Sequence, residues 1–407
     1  MMVAYLSRAR ICLGLLGCCL AGAISAQAQT PAPPEAIESM PIHAGPFGLR
    51  PSLAITGVGS DSNVFNVADN PQDDFTATIV PRIVARVRAG RLTFSYGAAS
   101  DIVYFRTFED EGSINGTTDL RVDANLGRLQ PYASAGWVST KERMNAEIDV
   151  RAPRTQHSIG AGARMLVASR TAIVVNARRF DLEFDDGSDF RGSDLAHNLN
   201  SRTDSLESGV QVTLTPLTTL NVTTTVQRDR FDSEPSRNAD SWRITPSLQF
   251  DPTALIRGTV AVGYRHFDAT DPQVPDYSGV VVQVMAGYTL LERTKFDLDL
   301  ARDVQYSYED VEPYYVTNGG RLTVTHRLAG PFELQGTVGR QSLVYRNTIA
   351  SGVTRTDTVE TYGAGVGYWL RPLLRVGFNW EQARRLSVFN NRHYERRRLF
   401  ASFTYGS

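Results

Sequence analysis

Thr118-Asp119-Leu120-Arg121-Val122-Asp123-Ala124-Asn125-Leu126 decides the fold. Thr118, Leu120, Val122, Ala124 and Leu126 share one phase; Asp119, Arg121, Asp123 and Asn125 share the other. A period of two is that of a strand, whose successive side chains leave opposite faces. One face requires an apolar environment. The other carries charges that a dry protein core would not accept unpaired.

The same alternation recurs along the chain. Phe296, Leu298 and Leu300 interleave with Asp297 and Asp299, and Leu374, Val376, Phe378 and Trp380 with Arg375, Gly377, Asn379 and Glu381. Short turns separate the units, among them Arg88-Ala89-Gly90-Arg91, Thr215-Pro216-Leu217-Thr218 and Arg371-Pro372. Polar loops rich in Asp, Asn, Gly and Ser occupy the opposite ends, at about 59–74, 107–115, 141–154, 185–201, 232–239, 268–277, 308–318, 346–356 and 387–393. Eight short turns joining nine hairpins predict eighteen strands, with sixteen as the alternative.

A soluble β-sandwich would also alternate, but with shorter strands and Greek-key connections. Strands of ten to fourteen residues, tilted, suit a bilayer with a collar outside it. Lipid demands closure, because an open sheet edge would leave backbone groups unpaired. The fold class is therefore an all-β transmembrane antiparallel up-and-down barrel over residues 47–407.

The N-terminus agrees with export. Arg8 and Arg10 precede an apolar run from Ile11 to about Ile24 that ends in Ala26-Gln27-Ala28, so residues 1–28 read as a signal peptide. Leu15-Leu16-Gly17-Cys18 is a competing lipobox that would leave Cys18 lipid-modified. Cys12, Cys18 and Cys19 all lie in this segment, so the mature chain would form no disulfide or thiolate site. Pro31, Pro33, Pro34, Pro41 and Pro46 mark residues 29–46 as a disordered periplasmic leader. Without Arg8 and Arg10, 40 basic residues face 43 acidic ones, a net charge of −3 that offers nothing to nucleic acid.

Aromatic side chains at Tyr96, Tyr104, Trp242, Phe250, Tyr264, Tyr288, Tyr368, Trp380, Phe403 and Tyr405 fall on the outward phase, as interfacial girdles require. Arg302 and Arg340 also fall there. They imply either positions above the bilayer or a register shift, and Pro81 and Pro246 suggest bulges.

On the inward phase lie Arg82, Arg86, Asp119, Arg121, Asp123, Arg179, Arg257, Arg265, Asp297, Asp299, Arg321, Arg375 and Glu381. Charges arrayed in this way set pore selectivity, or else pair across strands and hold the wall. No catalytic, cofactor-binding or metal-ligating set emerges. Asp185, Asp186, Asp189 and Asp194 are weighed for calcium, but they lack the EF-hand spacing and read better as a solvated acidic loop.

Gly45-Pro46-Phe47-Gly48-Leu49-Arg50-Pro51-Ser52-Leu53, followed by Asp61-Ser62-Asn63-Val64-Phe65, resembles the opening strand and loop of the putative β-barrel porin type 2 family. Thr215 to Phe231, Arg371 to Phe389 and Tyr362-Gly363-Ala364-Gly365-Val366-Gly367-Tyr368 fit the same pattern. A barrel this wide with a mixed-charge lumen suits an outer-membrane channel for sugars, oligosaccharides or small anions, and the resemblance adds exopolysaccharide exit as a variant. The alternative is a closed structural or adhesive barrel whose surface loops bind a partner. Expected partners are outer-membrane lipid, a polysaccharide or small hydrophilic solute, and the barrel assembly machinery through a C-terminal strand ending near Phe403 and Tyr405.

Overall fold

Eighteen segments of alternating sequence form eighteen strands in the computed structural model, which describes residues 37–328, 330–346 and 354–406. In chain order they are β1 (Phe47–Asp61), β2 (Asp74–Ala89), β3 (Leu92–Phe105), β4 (Ser113–Ala124), β5 (Leu129–Thr140), β6 (Arg154–Ala168), β7 (Thr171–Phe184), β8 (Ser201–Thr215) and β9 (Thr218–Phe231). The second half holds β10 (Ala239–Phe250), β11 (Ile256–Ala269), β12 (Tyr277–Leu290), β13 (Thr294–Tyr306), β14 (Tyr314–Arg327), β15 (Phe332–Arg346), β16 (Thr356–Arg371), β17 (Leu374–Leu386) and β18 (Tyr394–Tyr405).

Each strand pairs antiparallel with its neighbours in the chain, and β18 returns to β1 through Leu53↔Tyr405 to Asp61↔Arg398. No edge is left open, which is the condition lipid imposes. The alternative count of sixteen strands is set aside.

Side chains sort by phase. Leu120, Leu206, Val226, Val262, Phe378 and Leu399 are exposed on the outer face. The girdle aromatics share that phase. Tyr288 stacks on Phe296, and Phe332 meets Tyr368 edge to face with centroids 4.8 Å apart.

Register shows where sequence parity needed correction. Pro81 and Pro246 interrupt ladder bonds without shifting register: Ile79↔Ile102 continues as Arg82↔Ala99, and Ile244↔Tyr264 as Ser247↔Ala261. A proline lacks a donor, but its fixed φ is compatible with a strand. No shift occurs at Arg302 or Arg340 either. Both lie eight residues above the short-turn ends of their strands, Thr294 and Phe332. At about 3.4 Å per residue and a tilt near 40°, that is roughly 20 Å, close to the upper margin of a ~25 Å apolar band. There Arg302 donates to the carbonyl of Val280 and to Asn318, while Arg340 stands opposite Glu360.

A bulge away from the short turns lies in β1 between Thr56 and Gly59, where Gly57 adopts φ +63°. It switches the phase of the strand's last residues and turns Asp61 inward. Asp61 there forms a buried ion pair with Arg396 of β18 at the seam that closes the barrel.

The leader is not wholly disordered. Ile37 and Met40 are buried against Gly48, and Ile42–Ala44 pairs with Phe47–Leu49. A side chain at Gly48 would collide with the Met40 sulfur, at 2.5 Å from an ideal Cβ. The signal peptide, the lipobox cysteine and residues 29–36 lie outside the described residues.

Candidate pore and its outer constriction

Inside the wall, twelve of the thirteen predicted lumen residues face inward, on the phase opposite the exposed apolar side chains. Arg121 grips Asp123 at 2.6 Å and lies 3.9 Å over the Tyr132 ring. Arg257 and Lys295 share Asp297, at 3.3 and 2.8 Å. Arg375 binds Glu333 at 2.5 Å, and Arg398 reaches Glu381 at 3.4 Å. Arg265 and Arg243 both engage the buried Asp303, at 2.8 and 3.4 Å. Arg86 contributes to the β2 wall.

Other inward charges stand apart. Arg82 faces Asp101 and Asp119 on β2 to β4, and Arg321 faces its cross-strand neighbour Asp299 on β14 and β13, without a direct ion pair among the described residues.

Arg179 is the exception. It faces outward and pairs with Asp204 at 2.7 Å, and Asp181 does the same with Arg202. Its neighbour Arg178 holds the inward place. The cause lies higher in β7: Phe180, Leu182 and Phe184 face inward, against folded loops rather than lipid. Their apolar row imitates a lipid face and inverts the parity read from sequence.

Those loops form the part of the site that sequence reading missed. Residues 141–153, placed outside by length and polarity, cross the lumen instead. Ala146 packs with Tyr315, Leu343, Tyr345 and Val359 of β14, β15 and β16, nearly opposite the strands from which the loop springs. Ile148 and Ala152 pack with Leu182, Phe184, Phe190, Leu195 and Tyr308. The signal was present: Met144, Ala146, Ile148, Val150 and Ala152 alternate with polar residues, an apolar row with no reason to stand in water.

The Asn145 side chain shapes the tip by accepting bonds from the backbone N–H groups of Glu147 and Ile148, at 2.9 and 2.7 Å. Arginines then bind the loop's exposed carbonyls. Arg385 donates to Ala146 O at 2.5 Å, Arg392 to Glu147 O at 2.8 Å, and Arg143 to Asp149 O at 2.6 Å. Arg385 also pairs with Asp357 at 2.5 Å, and Arg355 with Asp357 and Glu312.

Two further loops meet the first. In residues 185–200, Asp194 caps the helix Leu195–Leu199 by accepting from Ala196 N and His197 N. Capping is the role the structure gives this acid, which the sequence had also offered as a calcium ligand. Phe190 meets Tyr308, on the loop after β13, edge to face at 4.8 Å, and Asn198 donates to the Tyr308 carbonyl at 2.9 Å. Arg237 ties the same segment through Ser307 O and Glu309 O.

Glu147 sits where these loops join. It is wholly buried, and its carboxyl accepts from the Ser307 hydroxyl at 2.6 Å. Burial pushes it up to about 7, against the Ser307 bond and the pull of Arg392, Arg385 and Arg355. Its Oε2 has no partner among the described residues, which favours the neutral acid.

A closed eighteen-stranded barrel with a charged lumen, an apolar outer band and short turns on one side only is a barrel of the outer-membrane type. The chain matches the Putative beta-barrel porin 2 family over residues 35–405 and belongs to it. No curated protein matches it. Similar solved structures include a BenF-like porin from Pseudomonas fluorescens Pf-5, at 11% identity over 88% of this chain and 98% of that one, with TM-score 0.48. Pseudomonas aeruginosa OpdK with vanillate is similar at 10% identity, 88% and 98% coverage and TM-score 0.47. OccK3 (OpdO) of the same species is similar at 12%, 88% and 95%, and 0.46.

Proposed function

We propose that the protein is an outer-membrane channel for small hydrophilic solutes, narrowed at its outer mouth by residues 141–153. One observation carries this reading. Arg82, Asp101 and Asp119 on one wall, and Asp299 and Arg321 on the far wall, form no direct ion pair among the described residues and face opposite charges only at longer range. A charge without a partner in a dry interior is too costly to keep. Water therefore fills the lumen at that height, and the barrel is wide enough to hold it. Unpaired charges of both signs suit solutes that carry hydroxyls or a charge.

An exopolysaccharide strand is the larger cargo. It requires the crossing loop to swing out, against the contacts at Ala146, Glu147 and Ile148. A closed structural barrel remains the competing account, and the sealed packing around Tyr308 favours it.

Liposome swelling with sugars of increasing size separates these accounts. Entry of monosaccharides and exclusion of long oligosaccharides supports the narrowed channel. Exclusion of every sugar supports the closed barrel. Entry of long chains supports the polymer exit.

A further inference from the structure

The outward face of β8 and β9 is complementary to itself. Ladder neighbours run down the two strands as Asp204↔Arg228, Leu206↔Val226, Ser208↔Thr224 and Val210↔Val222. The four aliphatic residues are exposed, and so are Ser208, Thr224 and Arg228. Opposite charges face each other at the top; below them aliphatic faces aliphatic and hydroxyl faces hydroxyl. Arg228 lies ten residues above Thr218, and Asp204 eleven above Thr215, the short-turn ends of their strands. At about 3.4 Å per residue and a tilt near 40°, both stand roughly 26–29 Å above the rim, at the top of a ~25 Å apolar band.

Some polar groups of this strip are left over within the chain. Arg228 makes no ion pair or side-chain hydrogen bond among the described residues. Its ladder neighbour Asp204 is held by Arg179 at 2.7 Å, and Asp240 on its other side by Arg230 at 2.6 Å. The Ser208 and Thr224 side chains, lower in the apolar band, make no hydrogen bond among the described residues either. A hydroxyl set against acyl chains without a partner is costly. A groove of about 1010 Å³ crosses the same strip, bordered by Ala177, Arg179, Leu206 and Trp242.

We infer that this strip is the interface of a dimer with a second copy of the chain, related by a two-fold axis along the membrane normal between β8 and β9. Such an axis lays β8 of one copy against β9 of the other at equal height. Asp204 then meets the partner's Arg228, Leu206 the partner's Val226, and Ser208 the partner's Thr224, and every contact is made twice with the roles exchanged. The free guanidinium gains a carboxylate, and hydroxyl finds hydroxyl inside the apolar band. Trp242 of β10 and Arg179 of β7 both lie eight residues above the short-turn ends of their strands, Phe250 and Thr171. The axis therefore brings Trp242 level with the partner's Arg179, where an indole stacks on a guanidinium and fills the groove beside the small Ala177. A head-to-tail contact sets the strip against a different face and loses this matching. The inference does not depend on what the lumen passes.

Cysteine cross-linking of the full barrel in the outer membrane tests it. No cysteine lies beyond Cys19, so one introduced into the barrel is unique there. S208C, beside the axis, should give a disulfide-linked dimer under mild oxidation, and V338C, outward on the distant β15, should not. R228D added to S208C should lower the cross-linked fraction at least tenfold, because it turns two attractions into two repulsions. W242A should lower it too. Heat-modifiable migration on gels confirms that every variant is folded. Equal cross-linking at S208C and V338C, or cross-linking at S208C that ignores R228D, overturns the proposal. So does the absence of any linked dimer at S208C; a thiol that is then shielded from a maleimide gives the strip to another occupant.

Discussion

Arg385 of β17 donates to the carbonyl of Ala146, 239 residues earlier in the chain, at 2.5 Å. The bond spans the barrel and pins the tip of the crossing loop to the opposite wall. A charge-assisted hydrogen bond of this kind contributes about 1.5–3 kcal/mol. R385A should therefore raise single-channel conductance or add flicker between two levels, read in planar bilayers. An unchanged trace would mean that the loop is held without this bond.

Glu147 makes the seated loop sensitive to pH. Its carboxyl titrates at about 7 in place and near its ordinary value of 4.5 when solvated. Because the seated pKa is the higher one, seating is favoured in full below 4.5 and the benefit is lost as pH rises through about 7. Each unit is worth about 1.4 kcal/mol, so the shift weakens the latch by a few kcal/mol at alkaline pH. Amide protection within 141–153, corrected for the intrinsic base catalysis of exchange, should fall between pH 5.5 and pH 8, and E147Q should remove that fall. Protection that stays constant across this range in the native chain would contradict the assignment.

Ile148 anchors the loop by packing. Replacing it with Ala should cost about 2–4 kcal/mol of local stability, as deletion of a buried aliphatic side chain does. Exchange should then rise in 141–153 while the barrel strands stay protected. Global unfolding at a lower temperature would instead make the loop part of the wall's own stability.

The lumen charges that form no direct ion pair set selectivity. R82E with R321E should move the reversal potential toward cation preference, and D119N with D299N toward anion preference. Opposite outcomes, or no shift in either pair, would place the ion path elsewhere.

At the seam, D61N leaves Arg396 buried without its carboxylate. Breaking a buried pair in this way costs about 3–5 kcal/mol. The temperature at which the barrel loses its compact gel migration should fall, and the double variant D61N/R396Q should recover part of the loss.

Much of this was legible in the residues. Thr118 to Leu126 alternates without fault because β4 has lipid on one side and water on the other. The turn positions held because each short turn must follow a strand that comes back in and precede one that runs out. Parity failed in β7, where Phe180, Leu182 and Phe184 turn their apolar row toward the folded loops, so Arg179 and Arg178 were exchanged. The crossing loop was missed for the same reason. Alternation reports that a face is apolar but not what covers it, and for Ala146 and Ile148 the cover comes from residues far along the chain. Asp61 could not be read either, because the inward turn depends on the bulge at Gly57.

The most direct test compares planar-bilayer conductance of the native mature protein with that of a variant in which residues 144–151 are replaced by a short glycine-serine link. A steady small conductance that rises several-fold in the variant is the predicted result. Identical conductance in both, or none in either, would contradict a channel narrowed by this loop.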